Sequence, residues 1–170
     1  MYEEQGRQRK AQTLLAVLGD ALGERLQSAR VMNVGCSSGI MDSFIAPHVG
    51  SHIGMDIDAA AILHASATHI QPNLSFRVGD AMAIDEADAS YDVVICSQVY
   101  EHVPDPCRMM QEINRILAPD GVCYFAATNR LCLIEKHYSL PFLSIIPVWM
   151  AHWYLRVTGK GRHYYERHFS

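Results

Sequence analysis

The sequence predicts a doubly wound α/β fold, with a Rossmann-like, mostly parallel sheet of five strands and helices on both faces. Three observations predict this fold class. Short apolar runs alternate along the chain with segments of helical periodicity. The run "YDVVICS" at 91–97 is continuously apolar after its first two residues, as expected of a strand that is covered on both faces. The connections between runs are long enough for helices, which implies parallel pairing with right-handed crossovers.

The predicted elements follow one another from the N-terminus. Leucines recur at helical spacing in the N-terminal segment, residues 1–29, and predict a helix. Residues 59–70 are rich in helix formers and stop before Pro72, and "LSFRV" at 74–78 alternates like a strand. In chain order the prediction is a helix over 8–28, a strand over 31–34, a helix from 40, a strand within 51–58, a helix over 59–70, strands over 74–78 and 91–97, a helix over 105–117, and a strand over 122–128.

Composition predicts one globular domain over residues 1–170, located in the cytoplasm. Apolar residues make up 49% of the chain and charged residues 19%, which excludes a disordered protein. The formal net charge of −4 argues against a nucleic-acid binder, which needs a basic face. The five cysteines form no CxxC pair and predict mostly buried, free thiols in a reducing compartment. The N-terminus has charges of both signs and no apolar core, so no signal peptide is predicted.

Small and acidic residues cluster at the predicted carboxyl ends of the strands, where parallel sheets bind ligands. The first strand runs into five small residues, 35–39, which predict that a phosphate, a nucleoside or a tightly packed helix approaches the backbone. Asp56 lies 21 positions after Gly35, a spacing typical of the acidic residue that binds ribose hydroxyls in nucleotide-binding βαβ units. Asp80 follows the third strand and residues 97–102 follow the fourth, whereas Asp58 is interpreted as a helix cap. Together these positions predict a nucleoside site.

The glycine loop, residues 35–39, matches neither of two common phosphate-binding motifs. Dinucleotide loops read G-x-G-x-x-G, but here the spacing is G-x-x-x-G and Ser37 stands at the middle glycine position. No lysine follows the loop, so it is not a P-loop. An NAD-type Rossmann oxidoreductase therefore remains only as an alternative.

Five blocks of the sequence, taken in order, resemble the class I S-adenosylmethionine-dependent methyltransferases, of the small-molecule and lipid type that includes methyltransferase type 11. The blocks are "VMNVGCSSG", "GMDID", "VGDA", "YDVVICSQVYEHVPDP" and "INRILAPDGVCYF". They cover the chain from about residue 31 to residue 128. The specificity of the resemblance comes from the presence of all five blocks in order.

The resemblance implies S-adenosylmethionine as cofactor and S-adenosylhomocysteine as product. It implies that the loop after the first strand packs against the methionine part, that Asp56 binds the ribose hydroxyls, and that Asp80 binds the adenine amino group. Ala81 would contact the ring edge through its backbone, while Ser97 and Gln98 would lie under the methionyl amine. The full predicted cofactor site is Gly35, Cys36, Ser37, Gly39, Asp56, Ile57, Asp80, Ala81, Ser97 and Gln98.

The sequence departs from the family pattern at three places. The family often has an acidic residue where Asn33 stands and a glycine where Ser37 stands. Family members usually carry two further strands as an antiparallel edge, and the sequence stops before them. We therefore expect a sheet without the last two strands, a chain truncated at its C-terminus, and a bare edge at strand five that a second copy of the chain could cover.

Catalysis by methyl transfer needs in-line positioning and, for an oxygen nucleophile, a base. Glu101 and His102 in "QVYEHVPDP" are expected beside the transfer site, and His102 is the candidate base. The alternative for His102 is a residue that only shapes the pocket. Some quinone-pathway O-methyltransferases, which this segment resembles, hold a metal with Glu-x-x-Glu-His, but Gln98 replaces the first glutamate here, so no metal is predicted. His137 is a further residue that could face the site.

The C-terminal residues 140–170 are apolar and aromatic at first and basic afterwards. Residues 140–156 contain two prolines and are too short for a typical membrane span. Three interpretations stay open: packing in the core, a lid over a hydrophobic acceptor, and a contact with a membrane surface.

The sequence as a whole predicts methyl transfer from S-adenosylmethionine to a small or lipid-like acceptor, at an oxygen atom. Two alternatives remain, an NAD-type oxidoreductase and a non-catalytic cofactor-binding fragment or partner module.

Overall fold

Five parallel strands form one sheet in the order β3-β2-β1-β4-β5. The structure is a computed structural model, which describes residues 2–127, 134–135 and 138–164. The strands are β1 (Arg30–Val34), β2 (Ser51–Asp56), β3 (Leu74–Val78), β4 (Tyr91–Ser97) and β5 (Leu117–Ala126). The predicted doubly wound parallel sheet is confirmed. The strand order reverses between β1 and β4, so the ligand crevice of such a sheet lies at the carboxyl ends of these two strands.

Helices cover both faces of the sheet, as predicted. They are α1 (Tyr2–Leu22), α2 (Ile40–Ile45), α3 (Ala59–Thr68) and α4 (Pro106–Ile116). Helices α1 and α2 bury Leu14, Leu18 and Ile45 against one face of β1 and β4. Helix α4 buries Met109 and Ile113 against the opposite face. The continuous apolar pattern of β4 follows from this arrangement, because both of its faces are covered.

Several predicted boundaries are wrong, and two of them have a local physical cause. The N-terminal helix was expected to reach residue 28, but α1 ends at Leu22 and a 3₁₀ turn covers Gly23–Ser28. Gly23 has a φ of +57°, a conformation that ends helices and favours glycine. Strand β5 begins at Leu117, earlier than expected, because Leu117 pairs with Tyr91 and Val122 pairs with Val93. The intervening "APDG" residues form an irregularity within the strand.

Aspartates begin both of the longer helices that follow the strands. Oδ1 of Asp58 accepts hydrogen bonds from the backbone N–H groups of Ala60 and Ala61, at 2.9 and 3.2 Å. Oδ1 of Asp105 accepts a bond of 3.0 Å from the N–H of Arg108. These contacts satisfy N–H groups that have no partner inside a helix. The interpretation of Asp58 as a helix cap is confirmed.

Glu112 and Arg115 on α4 hold the segment between β3 and β4. The buried carboxylate of Glu112 accepts the N–H of Ile84 at 3.0 Å and Nη2 of Arg115 at 2.8 Å. Arg115 in turn donates to the carbonyl oxygens of Ile84 and Glu86, at 2.7 and 2.6 Å. The hydrogen bond from Arg115 lowers the pKa of Glu112 below its ordinary value of 4.5. This segment begins at residue 79, so the network steadies the loop that carries Asp80.

Glu112→Gln is expected to lower the free energy of unfolding by about 1.5 kcal/mol at neutral pH, because a charge-assisted hydrogen bond to Arg115 is lost. The folded-state pKa of Glu112 is depressed, so its contribution is complete above 4.5 and disappears as the pH falls through the folded-state value. Urea unfolding of parent and variant at neutral and acidic pH checks this. The difference in the free energy of unfolding between parent and variant should disappear at acidic pH. The control Glu24→Gln, on the surface, should stay within about 0.5 kcal/mol.

Residues 127–170 form a second compact unit, separate from residues 1–126. In it, β6 (Ile134–Glu135) pairs antiparallel with β7 (Leu140–Pro141), and α5 (Val148–Val157) follows Pro147. The unit has its own small core, which consists of Leu140, Leu143, Ala151, Leu155 and Tyr164. No helix in the described ranges is long and apolar enough to cross a membrane. Among these residues the five-stranded sheet ends at β5 without a further edge strand, as predicted.

Candidate functional site

Two adjoining cavities lie in the first unit at the carboxyl ends of the strands. The larger cavity has a volume of about 440 Å³ and the smaller cavity about 360 Å³. Nine of the predicted site residues line the larger cavity: Gly35, Ser37, Asp56, Ile57, Asp80, Ala81, Ser97, Gln98 and His102. Cys36 lines only the smaller cavity, and Gly39 lines neither. The fold therefore brings residues from four strand ends to one place.

Asp56 joins the ends of β1 and β2. Its Oδ2 accepts a hydrogen bond of 2.7 Å from the N–H of Ser37, and its Oδ1 accepts one of 3.0 Å from the N–H of Asp58. A carboxylate has about four acceptor sites, so each oxygen can accept one more hydrogen bond. Because Asp56 also lines the larger cavity, its chemistry fits two adjacent hydroxyl groups of a ligand.

The two glycines of the loop are required by packing inside the protein. A Cβ atom at Gly35 would lie 2.3 Å from Cγ2 of Val99, and one at Gly39 would lie 2.6 Å from the ring of Phe76. Both glycines also have positive φ angles, +77° and +72°. Close packing therefore accounts for these two positions, although the nearest atoms belong to the loop after β4 and to strand β3 and not to the packed helix that was one of the three explanations. The N–H groups of Gly35 and Cys36 both donate to the carbonyl oxygen of Met55, which holds the loop against β2.

Ser37 and Gln98 both line the larger cavity and have left-handed backbones, with φ angles of +52° and +60°. This conformation costs a non-glycine residue about 1 kcal/mol or more and persists only where the surroundings enforce it. The bond to Asp56 holds Ser37, and a 2.7 Å bond from the N–H of Gln98 to the carbonyl of Ala126 holds Gln98. Such strained positions are typical of ligand sites.

Asp80 folds the chain after β3 into a tight turn. Its Oδ1 accepts the N–H of Met82 at 2.8 Å, and its carbonyl oxygen accepts the N–H of Ala83 at 3.0 Å. Its Oδ2 has no hydrogen-bond donor within the described residues and is available to an amino group. The same turn places Ala81 in the cavity wall.

Glu101 and His102 were both expected beside the transfer site, but the structure separates them. Glu101 is 3% exposed and lines neither cavity. His102 is exposed and lines the larger cavity. The loop turns between them, because the N–H of His102 bonds to the carbonyl of Val99 at 2.9 Å. Of the two side chains, only His102 is placed to meet a ligand. His137 lies outside the described residues.

Arg7 and Lys10 on α1 are charged residues that line the cavities and that the sequence analysis did not predict. Both line the smaller cavity together with Asn33, and Arg7 lines the larger cavity as well. Their spacing of three residues on a predicted helix indicates that they share a face. That signal does not reveal which face points to the sheet ends, because the packing of α1 on α2 decides it.

Burial disfavours the thiolate form of three free cysteines, of which Cys36 lines the smaller cavity. Cys36, Cys96 and Cys123 form no disulfide, and burial raises the pKa of all three, that of Cys96 to about 12. Thiols of this kind stay protonated and unreactive at neutral pH. The prediction of buried, free thiols is confirmed for Cys36 and Cys96, whereas Cys123 is half-buried and Cys107 is exposed. Cys132 lies outside the described residues.

Comparison with known proteins gives a consistent family. A family model described as a methyltransferase domain matches residues 2–169. A ubiquinone biosynthesis O-methyltransferase from Psychrobacter cryohalolentis is 31% identical over 147 residues, which cover 84% of this chain and 54% of that protein. The protein of the same name from Acinetobacter baumannii strain AYE is 29% identical over 147 residues, or 84% and 58%. The chain thus spans about half the length of the curated relatives it matches.

Solved structures share the fold. The YcgJ protein from Bacillus subtilis aligns with a TM-score of 0.61 and 24% identity, over 68% of this chain and 50% of that one. An S-adenosylmethionine-dependent methyltransferase from Mesorhizobium loti aligns with a TM-score of 0.61 and 17% identity, over 71% and 56%. At these identities the likeness shows the fold alone. Since the family model matches nearly the whole chain, the chain belongs to the class I S-adenosylmethionine-dependent methyltransferases.

Proposed function

We propose that this chain binds S-adenosylmethionine in the two cavities and directs its methyl group to an oxygen atom of a small or lipid-like acceptor. The observation that carries the proposal is Asp56, whose two oxygens can accept further hydrogen bonds where they meet the larger cavity. The names of the curated relatives, O-methyltransferases of ubiquinone biosynthesis, support an oxygen acceptor. When bound, S-adenosylmethionine supplies an electrophilic methyl group, so the protein's work is positioning and exclusion of water.

The roles of the residues follow from their places in the cavity walls. Asp56 accepts the two ribose hydroxyls, Oδ2 of Asp80 accepts the adenine amino group, and Ala81 and Ile57 contact the nucleoside. Ser97 and Gln98 lie between the two cavities and contact the methionine part together with the backbone of Gly35 and Ser37. Arg7 and Lys10 bind the methionine carboxylate, because they are the basic residues that line the smaller cavity.

A binding comparison tests the cofactor. Calorimetry of the whole chain with S-adenosylhomocysteine and with NAD should show binding of the first and none of the second. Loops that bind the pyrophosphate of NAD have a glycine at their middle position. This chain has Ser37 there, in a left-handed conformation, and the difference argues against NAD. Binding of NAD alone would favour the oxidoreductase alternative and overturn the proposal.

A non-catalytic cofactor-binding module is the second candidate function, because the contacts of Asp56 and Asp80 in the cavity walls concern binding alone. Incubation with methyl-labelled S-adenosylmethionine and a lipid and small-molecule extract separates the two. Labelled product identifies an enzyme and its acceptor class. Binding of S-adenosylhomocysteine without any labelled product would support the module.

A membrane surface is the partner that we propose for residues 140–156. Trp149 and Trp153, four residues apart on α5, are 71% and 64% exposed, and Phe142 is 54% exposed. Residues 138–164 contain three basic residues, Arg156, Lys160 and Arg162, and no acidic residue. Exposed tryptophans beside basic side chains suit the surface of an anionic bilayer. The free thiols are consistent with the cytoplasmic side of such a membrane.

Flotation with phosphatidylglycerol-containing vesicles is expected to carry the chain upward, and neutral phosphatidylcholine vesicles should carry less. Trp149→Ser with Trp153→Ser should abolish flotation, whereas Val17→Ser, an exposed apolar residue on α1, should not. Light scattering and hydrogen exchange test two other interpretations of the segment, a contact between two copies of the chain and a lid. If the chain is a dimer that the double tryptophan variant dissociates, the partner of this segment is a second copy of the chain and not a membrane. If the segment gains hydrogen-exchange protection only when S-adenosylhomocysteine is added, the segment is a lid.

A further inference from the structure

A buried polar network lies directly behind the wall of the smaller cavity. It joins Asn33 on β1, Asp42 on α2 and His52 on β2, which are 5%, 0% and 1% exposed. Oδ1 of Asp42 accepts Nδ2 of Asn33 at 2.9 Å and Nε2 of His52 at 2.8 Å. Gly54 leaves room for it, because a Cβ atom there would lie 3.0 Å from the same oxygen. Burying polar side chains this deeply costs free energy, so we expect the network to have a role beyond packing.

The network fixes the direction in which the amide of Asn33 points. A carboxylate only accepts hydrogen bonds, so the NH₂ group of Asn33 must face Asp42. The carbonyl oxygen of the same amide is then turned away from Asp42 and has no partner among the described residues. Asn33 also lines the smaller cavity, as do Arg7 and Lys10. The wall of this cavity therefore contains an acceptor and two cations.

We propose that Asp42, held by His52, is a positioning residue that turns the carbonyl oxygen of Asn33 toward the ammonium group of the cofactor's amino-acid end. This inference rests on the proposed function, and it divides the smaller cavity between the two charges of an amino acid. Arg7 and Lys10 take the carboxylate, and Asn33 takes the ammonium. An asparagine at position 42 would have the same shape but could also donate, so the amide of Asn33 would be free to present its NH₂ group, which repels an ammonium.

Two ligands isolate the amino-acid end. S-adenosylhomocysteine carries it, and 5′-methylthioadenosine has the same nucleoside and sulfur without it. For Asp42→Asn we expect binding of S-adenosylhomocysteine to weaken about fivefold or more, while binding of 5′-methylthioadenosine stays within about twofold. Asp20→Asn, which removes the same charge from an exposed position on α1, should change neither affinity.

The reversed pair Asn33→Asp with Asp42→Asn is the second variant. It keeps the hydrogen bond with its direction reversed, and an oxygen at position 33 still faces the cavity. We expect it to bind S-adenosylhomocysteine at least as well as the parent does. Asn33→Asp alone places two carboxyl groups in contact and should lower Tm.

Calorimetry of parent and variants with both ligands decides the matter. Equal losses for the two ligands, or no loss for either, in Asp42→Asn would overturn the inference and leave the proposed function standing. If Asp42→Asn does not fold, the reversed pair decides, and a selective loss of S-adenosylhomocysteine there overturns the inference. A parent that binds neither ligand overturns the proposed function itself, and the inference with it.

Discussion

His102→Ala is expected to lower kcat about a hundredfold, because general-base catalysis typically contributes at least that much to the transfer of a proton from an oxygen nucleophile. His102 lines the larger cavity and is exposed, so an acceptor can reach its ring. Its neighbour Glu101 is buried and cannot replace it. Initial rates with methyl-labelled S-adenosylmethionine, using the acceptor identified by product profiling, measure the effect.

The affinity for S-adenosylhomocysteine distinguishes the base from a residue that only shapes the pocket. A base touches the acceptor, so the affinity of His102→Ala for the product should stay close to that of the parent. His64→Ala, on the exposed face of α3, serves as a matched control and should keep full kcat. Equal kcat in His102→Ala and the parent would assign His102 to the shape of the pocket.

Asp56→Ala is expected to weaken the binding of S-adenosylhomocysteine at least tenfold, because the variant loses a charged acceptor for two ribose hydroxyls, which contributes about 2 kcal/mol. The loss extends to the loop, since the N–H of Ser37 loses the carboxylate that holds it in its left-handed conformation. Calorimetry gives the affinity, and a melting curve shows whether the variant is folded.

Asp58→Ala is the matched control for Asp56→Ala, because it removes a carboxylate two residues away. Asp58 caps α3 through Ala60 and Ala61 and does not line either cavity. It should lower the stability by about 1 kcal/mol and leave the affinity for S-adenosylhomocysteine unchanged. If Asp56→Ala is folded and binds as tightly as the parent, Asp56 does not belong to the cofactor site.

Most of the residues that line the candidate site could be predicted from the sequence, because they stand at strand ends. In a parallel sheet all carboxyl ends meet at one edge, so Asp56 and Asp80 converge once β2 and β3 are recognised. The apolar pattern of "YDVVICS" was sufficient to locate β4, since it reflects burial on both faces. Local chemistry also identified the cap at Asp58.

What the sequence did not reveal depends on contacts between distant residues. Position 35 requires glycine because a Cβ atom there would collide with Val99, 64 positions along the chain. Position 39 requires glycine because a Cβ atom there would collide with Phe76. Adjacent residues also have different environments, because Glu101 is buried while His102 lines the cavity. The turn of the backbone between them determines this difference. Periodicity cannot report such outcomes, because it describes one element at a time.

The sequence by itself determined the five parallel strands, the helices on both faces and the acidic residues at the strand ends, because each depends on local pattern and on the general topology of βαβ units. Only the tertiary structure placed Arg7 and Lys10 beside Asn33, and joined Asn33 to Asp42 and His52. These groups come from four different elements, the helices α1 and α2 and the strands β1 and β2. Their meeting is decided by how α1 and α2 pack on the sheet, and that packing is a property of the whole core.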